Sequence, residues 1–383
     1  MSRVFVKPDL LRWARERASI GISELEKRFP KLEAWERGEQ QPSLRQLEAF
    51  AHAVHVPIGY LFLSEPPVET LPVPDLRTHG DRPLRQPSPN LLDTIYLCQQ
   101  RQDWFREFAR VYGMERLPFV GSASVKCNPV QVAERMRQTL QLSTSEREKL
   151  GTWTDALRQL VEKAEDAGVL VMASSIVGNN SHRKLDLSEF RGFALVDETA
   201  PLVFINSADS KSAQMFTLAH ELAHVWLGES GILDVQPGKV PSHDIERWSN
   251  MCAAELLVPM EDFKKNYRAQ EPISEEIQRL ARHYKVSTLV VLRRVFDAGF
   301  IDEQTLWQNY NEEVDRISKI ERVGVGGGDF YRTLGVRTGK RFAQAVIVST
   351  LEGYTLYREA MSLLGIRKTS TFNEAARKLG VMV

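Results

Sequence analysis

The chain has 383 residues, enough for two or three domains that each bury a core. Its 50 acidic and 50 basic side chains cancel, which excludes a global field that recruits nucleic acid or an anionic membrane and leaves any DNA contact to a local patch. The three cysteines, Cys98, Cys127 and Cys252, form no Cys-x-x-Cys pair and no disulfide framework. With no signal-peptide core and no apolar run near the roughly 20 residues that span a bilayer, the expected setting is soluble and cytoplasmic.

In chain order, residues 8–63 alternate amphipathic stretches at 9–18, 23–29, 32–37 and 43–54 with turn signals at Pro30, Gly38 and Pro42. That pattern predicts a bundle of short helices, an N-terminal domain over 1–68. Residues 69–89 continue a proline-rich stretch of mixed charge and are expected to be a linker. Helical spacing recurs over 90–112, 129–142 and 154–167, and strand signals follow at 168–173, 190–196 and 202–206. The pattern returns to helix at 212–227, 245–257 and 274–296. A small sheet among several helices makes 90–323 an α+β domain. The glycine-rich stretch 324–328 predicts a joint before helices at 343–351 and 356–364, so 324–383 reads as a small appended helical unit.

Chemistry concentrates in the 212–227 helix, where His220, Glu221 and His224 form a His-Glu-x-x-His motif. A spacing of four puts both imidazoles on one face, one turn apart, where neutral rings can share one Zn²⁺. Glu221, about 100° round the helix, points beside the metal and is placed to act as a base. The flanking Phe216, Leu218, Ala219, Leu222, Ala223, Val225 and Trp226 bury the helix, which makes unpaired polar side chains there costly.

A catalytic zinc needs a third protein ligand and an open position. Candidates are Glu229 and Asp234 in the following loop, His243, and Glu246 and Glu255 on the next helix. The last two are separated by about 900° of helical rotation, so only one of them can face the metal. Glu246 shares its face with Asn250 and Ala253, which favours it, and Glu255 is expected to pair elsewhere. His243 competes as a ligand or as a proton donor near the metal, and is also a candidate substrate contact. The expected reaction is amide hydrolysis, with Glu221 taking a proton from water and returning it to the leaving amine. The strand at 202–206, ending in Asn206, is a candidate to bind an extended peptide by strand addition.

These residues resemble the ImmA/IrrE family of metallopeptidases, found in bacterial and phage regulators. The resemblance runs through GVLV (168–171), FRGFAL (190–195), PLVFIN (201–206), FTLAHELAH (216–224) and IERWSNMCAAELLVP (245–259). It implies a zincin-like fold with a small mixed sheet, and a zinc glutamate four residues before the Asn-x-x-Ala-Ala segment, which falls on Glu246. It also implies cleavage of a partner protein, an XRE-type repressor or an antitoxin-like protein, in a stress, phage or toxin–antitoxin response.

The N-terminal domain resembles the XRE helix-turn-helix through LEAWERGEQQPSL (32–44) and residues 47–56. Between Ser23 and Trp35 it is several residues shorter than that family's pair of helices, where a recognition helix would enter the major groove. Arg28, Lys31, Arg37 and Arg45 are candidate phosphate contacts, which position a protein on DNA without reading sequence. The alternatives are a docking module or a dimerisation module that makes a homodimer. A second function class follows from the same layout: a non-proteolytic DNA-binding regulator or antitoxin paired with a PIN-like toxin.

Overall fold

The computed structural model describes residues 3–18, 20–69, 71–73, 87–233, 244–320 and 330–381. The architecture is α+β, and the chain divides into two compact units, Met1–Pro72 with Asp81–Ile95, and Val73–Gly80 with Tyr96–Val383. Most of the expected linker and the glycine-rich stretch 324–328 lie outside the described residues.

In the first unit, helices Pro8–Arg17, Ile22–Glu26, Leu32–Glu36 and Leu44–Ala53 precede a 3₁₀ turn, Ile58–Phe62. Apolar residues at helical spacing, among them Leu10, Leu11, Ala14, Leu47 and Phe50, meet Leu25, Phe29, Leu32 and Trp35 in one core. Ser43 starts the fourth helix with a reciprocal cap. Its hydroxyl accepts from Gln46 N while its own N–H donates to the Gln46 side chain at 2.9 Å. Buried Glu36 is held by Arg15 at 2.7 Å, which offsets the cost of burying its charge. The second and third helices span five residues each, about 7.5 Å of axis. That is short for a helix that must run along a major groove.

The second unit is built on strands β1 (Leu170–Ser174), β2 (Ile176–Val177), β3 (Asn180–Lys184), β4 (Gly192–Leu195), β5 (Leu202–Asn206) and β6 (Gly231–Leu233). Four of them form a mixed sheet in the order β1-β5-β4-β6; β2 and β3 make a separate antiparallel pair. β5 runs parallel to β1 and antiparallel to β4, and β6 closes the sheet antiparallel to β4. Every residue of β4 and β5 is buried, so these strands read as continuous apolar runs rather than as alternation. Helix Lys211–Leu227 lies against β4 and β5, and helix Phe330–Thr338 against β1.

Three expectations need correction. Strand addition at residues 202–206 has no free edge to use, because β5 is hydrogen-bonded to β1 on one side and β4 on the other. The helix expected over 274–296 is two, Ile273–Tyr284 and Thr288–Asp297, broken where Lys285 turns left-handed (φ 56°) and Ser287 caps the second through Val290 N. Helices Glu303–Ile320, Phe330–Thr338 and Thr369–Lys378 join the expected C-terminal pair, found at Lys340–Leu351 and Tyr357–Leu364. Among the described residues no helix is long and apolar enough to cross a membrane.

Candidate metal centre

Helix Lys211–Leu227 starts at Ser210, whose hydroxyl accepts from Ala213 N at 3.3 Å, and ends at Gly228 with φ 76°. That left-handed residue lets Glu229 N reach back to His224 O at 3.1 Å. A side chain there would also meet Gly121 Cα at 3.0 Å, so the glycine admits a neighbouring backbone. From Leu218 to Trp226 every residue of the helix is buried, as in a helix that lies inside its domain.

The partner helix, Asp244–Leu257, packs along it and presents Glu246 from its first turn. Its far end is held by arginines: Arg137 donates to Glu255 O at 2.7 Å, Arg147 to Leu257 O at 2.6 Å, and Arg294 to Val258 O at 3.0 Å. Cations there complement the partial negative charge of a helix C-terminus. Trp248 Nε1 donates to Cys127 O at 2.8 Å, and Cys252 packs its sulfur on Met136, a core role.

Between the two helices, His220 Nε2 lies 2.9 Å from His224 Nε2 and 3.2 Å from Glu246 Oε2, and His224 Nε2 lies 3.3 Å from Glu246 Oε1. His220, His224 and Glu246 are the group of metal-competent side chains found among the described residues, with one donor atom from each within 4.8 Å of the others. All three are at most 2% exposed. His220 Nδ1 is 2.9 Å from Asn250 Oδ1. With the Nδ1 proton on that oxygen, Nε2 keeps its lone pair for a metal. At 2.9 Å the two Nε2 atoms share a hydrogen bond when one of them carries its proton; with both lone pairs free they repel one another unless a cation lies between them. Two nitrogens and a carboxylate in this arrangement are a donor set suited to zinc.

Glu221 completes the site. It is fully buried, and among the described residues neither carboxylate oxygen has a hydrogen-bond partner. Burial, reinforced by the charge of Glu246, pushes its carboxyl well above the usual range. Burial also works against Glu246, but the facing rings of His220 and His224 override it and bring that carboxyl down to about 2. His224 is lowered chiefly by burial, which favours the neutral ring a metal needs. A buried carboxylate with no donor in reach is costly; a nearby divalent cation with its water would relieve it.

Asn250 leads to a first prediction. Asn250→Ala removes the acceptor that orients His220, and zinc affinity is expected to fall about 10- to 100-fold with the fold intact. Competition against a chromophoric chelator measures it, and unchanged affinity would show that the ring needs no such partner.

The other candidates fall away from this cluster. Glu255 occupies the opposite face of its helix, paired with Arg294 and accepting from Met260 N at 3.1 Å. Glu229 is exposed. Asp234 and His243 lie outside the described residues. Asn206 is fully buried and ties a loop together, donating to Phe190 O at 3.2 Å and accepting from Ala208 N at 3.2 Å, so it offers nothing to a substrate. Arg28, Lys31, Arg37 and Arg45 are exposed on the first unit, where Arg37 pairs with Glu33 and Arg28 lies over the Phe29 ring at 5.3 Å.

Sequence reasoning overlooked Gly192. A Cβ there would lie 2.6 Å from Thr217 Cγ2 and 3.2 Å from Glu221 Oε1, so only glycine lets β4 approach the helix this closely. The signal was present, since a glycine inside a strand pattern marks close approach.

No curated protein matches the chain. Residues 338–378, which cover the last three helices, match a family model described as a domain of unknown function (DUF8813). Residues 164–296 match the model described as the IrrE N-terminal-like domain, Peptidase_M78. That stretch, which contains His220, Glu221, His224 and Glu246, is a domain of the ImmA/IrrE metallopeptidase type.

Proposed function

We propose that this domain is a zinc-dependent endopeptidase that cuts a partner protein, with His220, His224 and Glu246 as the metal ligands and Glu221 as the general base. The observation that carries this reading is Glu221 itself: a buried carboxylate without a hydrogen-bond partner among the described residues, next in sequence to His220 of the metal-competent group. Zinc bound there supplies a Lewis acid that acidifies a water and polarises a carbonyl. Glu221 takes the water's proton on a carboxylate oxygen and passes it to the departing amine. Asn250 keeps the His220 ring oriented. β6, which ends the sheet order beside β4, offers main-chain groups for an extended segment.

The family resemblance supports an XRE-type repressor or an antitoxin-like protein as the partner. In this reading the first unit docks that partner, since its five-residue second and third helices suit a docking role better than groove reading. The test loads the full chain with zinc and offers it a pool of internally quenched peptides and a co-expressed repressor. About one zinc per chain is expected, with turnover that stops on adding 1,10-phenanthroline and returns with zinc. A zinc-loaded chain that cuts neither substrate would sink the endopeptidase reading.

A further inference from the structure

The last three helices, Lys340–Leu351, Tyr357–Leu364 and Thr369–Lys378, are basic in a chain that is neutral as a whole. Over residues 338–378 seven Lys and Arg stand against three Glu, the local patch that a nucleic-acid contact needs.

Helix Tyr357–Leu364 buries Ala360, Leu363 and Leu364, and helix Thr369–Lys378 buries Phe372, Ala375 and Ala376. Helix Lys340–Leu351 supports both: it packs against the first, and Gln344 Nε2 donates to Leu379 O at 2.9 Å just past the end of the second. Tyr357 and Phe372 meet edge to face at 5.2 Å. The turn between the two runs from Gly365 to Lys368, opened by Gly365 at φ 68° and anchored by buried Ile366. Asn179, in the turn of the β2–β3 hairpin, donates to Gly365 O, and a side chain on Gly365 would collide with it. The turn is thereby held to one path. Two short helices joined by a four-residue glycine turn and backed by a third make a helix-turn-helix arrangement.

The outward face of helix Thr369–Lys378 is polar throughout. Ser370, Asn373, Glu374 and Arg377 recur at helical spacing opposite Phe372, Ala375 and Ala376. Each of them can donate to or accept from a base edge. Glu374 pairs with Arg377 at 3.1 Å, while the Ser370 and Asn373 side chains make no hydrogen bond to another described residue. Arg358, Arg367 and Lys368 are exposed beside this face and have no ion-pair partner among the described residues. The helix has ten residues, about 15 Å of axis, a reach that the five-residue helices of the first unit lack.

We propose that helices Tyr357–Leu364 and Thr369–Lys378 bind double-stranded DNA, with Ser370, Asn373, Glu374 and Arg377 turned to base edges in the major groove and Arg358, Arg367 and Lys368 on flanking phosphates. Unpaired cations around a face of donors and acceptors complement a duplex, whose backbone is anionic and whose major groove offers both kinds of partner. This contact does not depend on the metallopeptidase reading, and it places DNA on the last helices rather than on the first unit.

The test titrates the full chain against a fluorescein-labelled duplex of about 30 mixed-sequence base pairs at about 50 and about 200 mM salt, read by anisotropy. The wild type should bind, more weakly at the higher salt. Combining Arg358→Ala, Arg367→Ala and Lys368→Ala should weaken binding at the lower salt by about tenfold or more and flatten the double-logarithmic salt slope by about 0.9 per cation removed. All three are exposed, so the melting temperature should stay as in the wild type. Combining Arg28→Ala, Lys31→Ala, Arg37→Ala and Arg45→Ala should leave binding unchanged. Selection from duplexes with a randomised centre should enrich one motif with the wild type, and Asn373→Ala should relax one position of it. No binding at the lower salt overturns the proposal, as does unchanged affinity in the three-site variant, loss of binding in the four-site variant, or a selection that enriches no motif. Displacement of the duplex by poly-L-glutamate at equal charge concentration would also overturn it and mark the face as one for acidic proteins.

Discussion

Glu246→Ala is expected to lose its metal, while Glu255→Ala keeps the metal and loses stability. The two carboxylates stand on one helix and do opposite work. Among the described residues Glu246 is the carboxylate paired with both histidine rings, at 3.2 and 3.3 Å. Without it two imidazoles remain, and zinc affinity should fall by more than about 100-fold, beyond what loss of an outer hydrogen bond costs. Glu255 is paired with Arg294, whose side chain is 7% exposed, and also accepts from Met260 N. Removing it leaves a buried guanidinium with only the longer contact to Asp297, at 3.9 Å, as counter-charge, and breaking a buried ion pair typically costs about 3–5 kcal/mol. Metal analysis after exhaustive dialysis, beside thermal melts of both variants, separates the outcomes. Zinc retained by Glu246→Ala and lost from Glu255→Ala would reverse the assignment.

The parts of this site that were legible in the sequence are those set by a single helix. The four-residue spacing of His220 and His224 and the opposite faces of Glu246 and Glu255 follow from 3.6 residues per turn, whatever the rest of the chain does. Asn206 was misread because a strand's own residues do not say which strands flank it. Its polar character reflects a loop to be tied down rather than a substrate to be met. The break at Lys285 was readable in principle, because Ser287 ahead of an apolar run is a helix-start signal, but the periodicity on either side ran through it. The arginines that hold the end of the Glu246 helix were beyond reach for another reason: Arg137 and Arg147 lie more than a hundred residues from the carbonyls they bind, and no local pattern encodes those contacts.

Glu221→Gln is expected to keep zinc at wild-type stoichiometry and to lower hydrolysis by about 10²- to 10⁴-fold, the usual worth of a general base. The substitution suits the site because it changes charge and almost nothing else. Glutamine fills the same volume beneath Gly192, where the backbone of β4 leaves no room for a larger group. It makes no claim on the donor atoms of His220, His224 or Glu246, so metal content is expected to stay as it is. It also replaces a carboxylate whose two oxygens have no partner among the described residues with a neutral amide, so the metal-free variant should melt no lower than the metal-free wild type. Glu221→Asp makes a sharper control. It keeps the acid but withdraws it by one methylene, and a displacement of about 1 Å from the working geometry is enough to cost about 100-fold. The expected order of turnover is therefore wild type, then aspartate at a small residual rate, then glutamine, with equal zinc in all three. Turnover of Glu221→Gln at the wild-type rate would exclude Glu221 as the proton carrier and pass that role to a group outside the cluster. Loss of zinc from the variant would instead show that this carboxylate helps to hold the metal, which its position one residue from His220, without a hydrogen bond to either histidine, argues against.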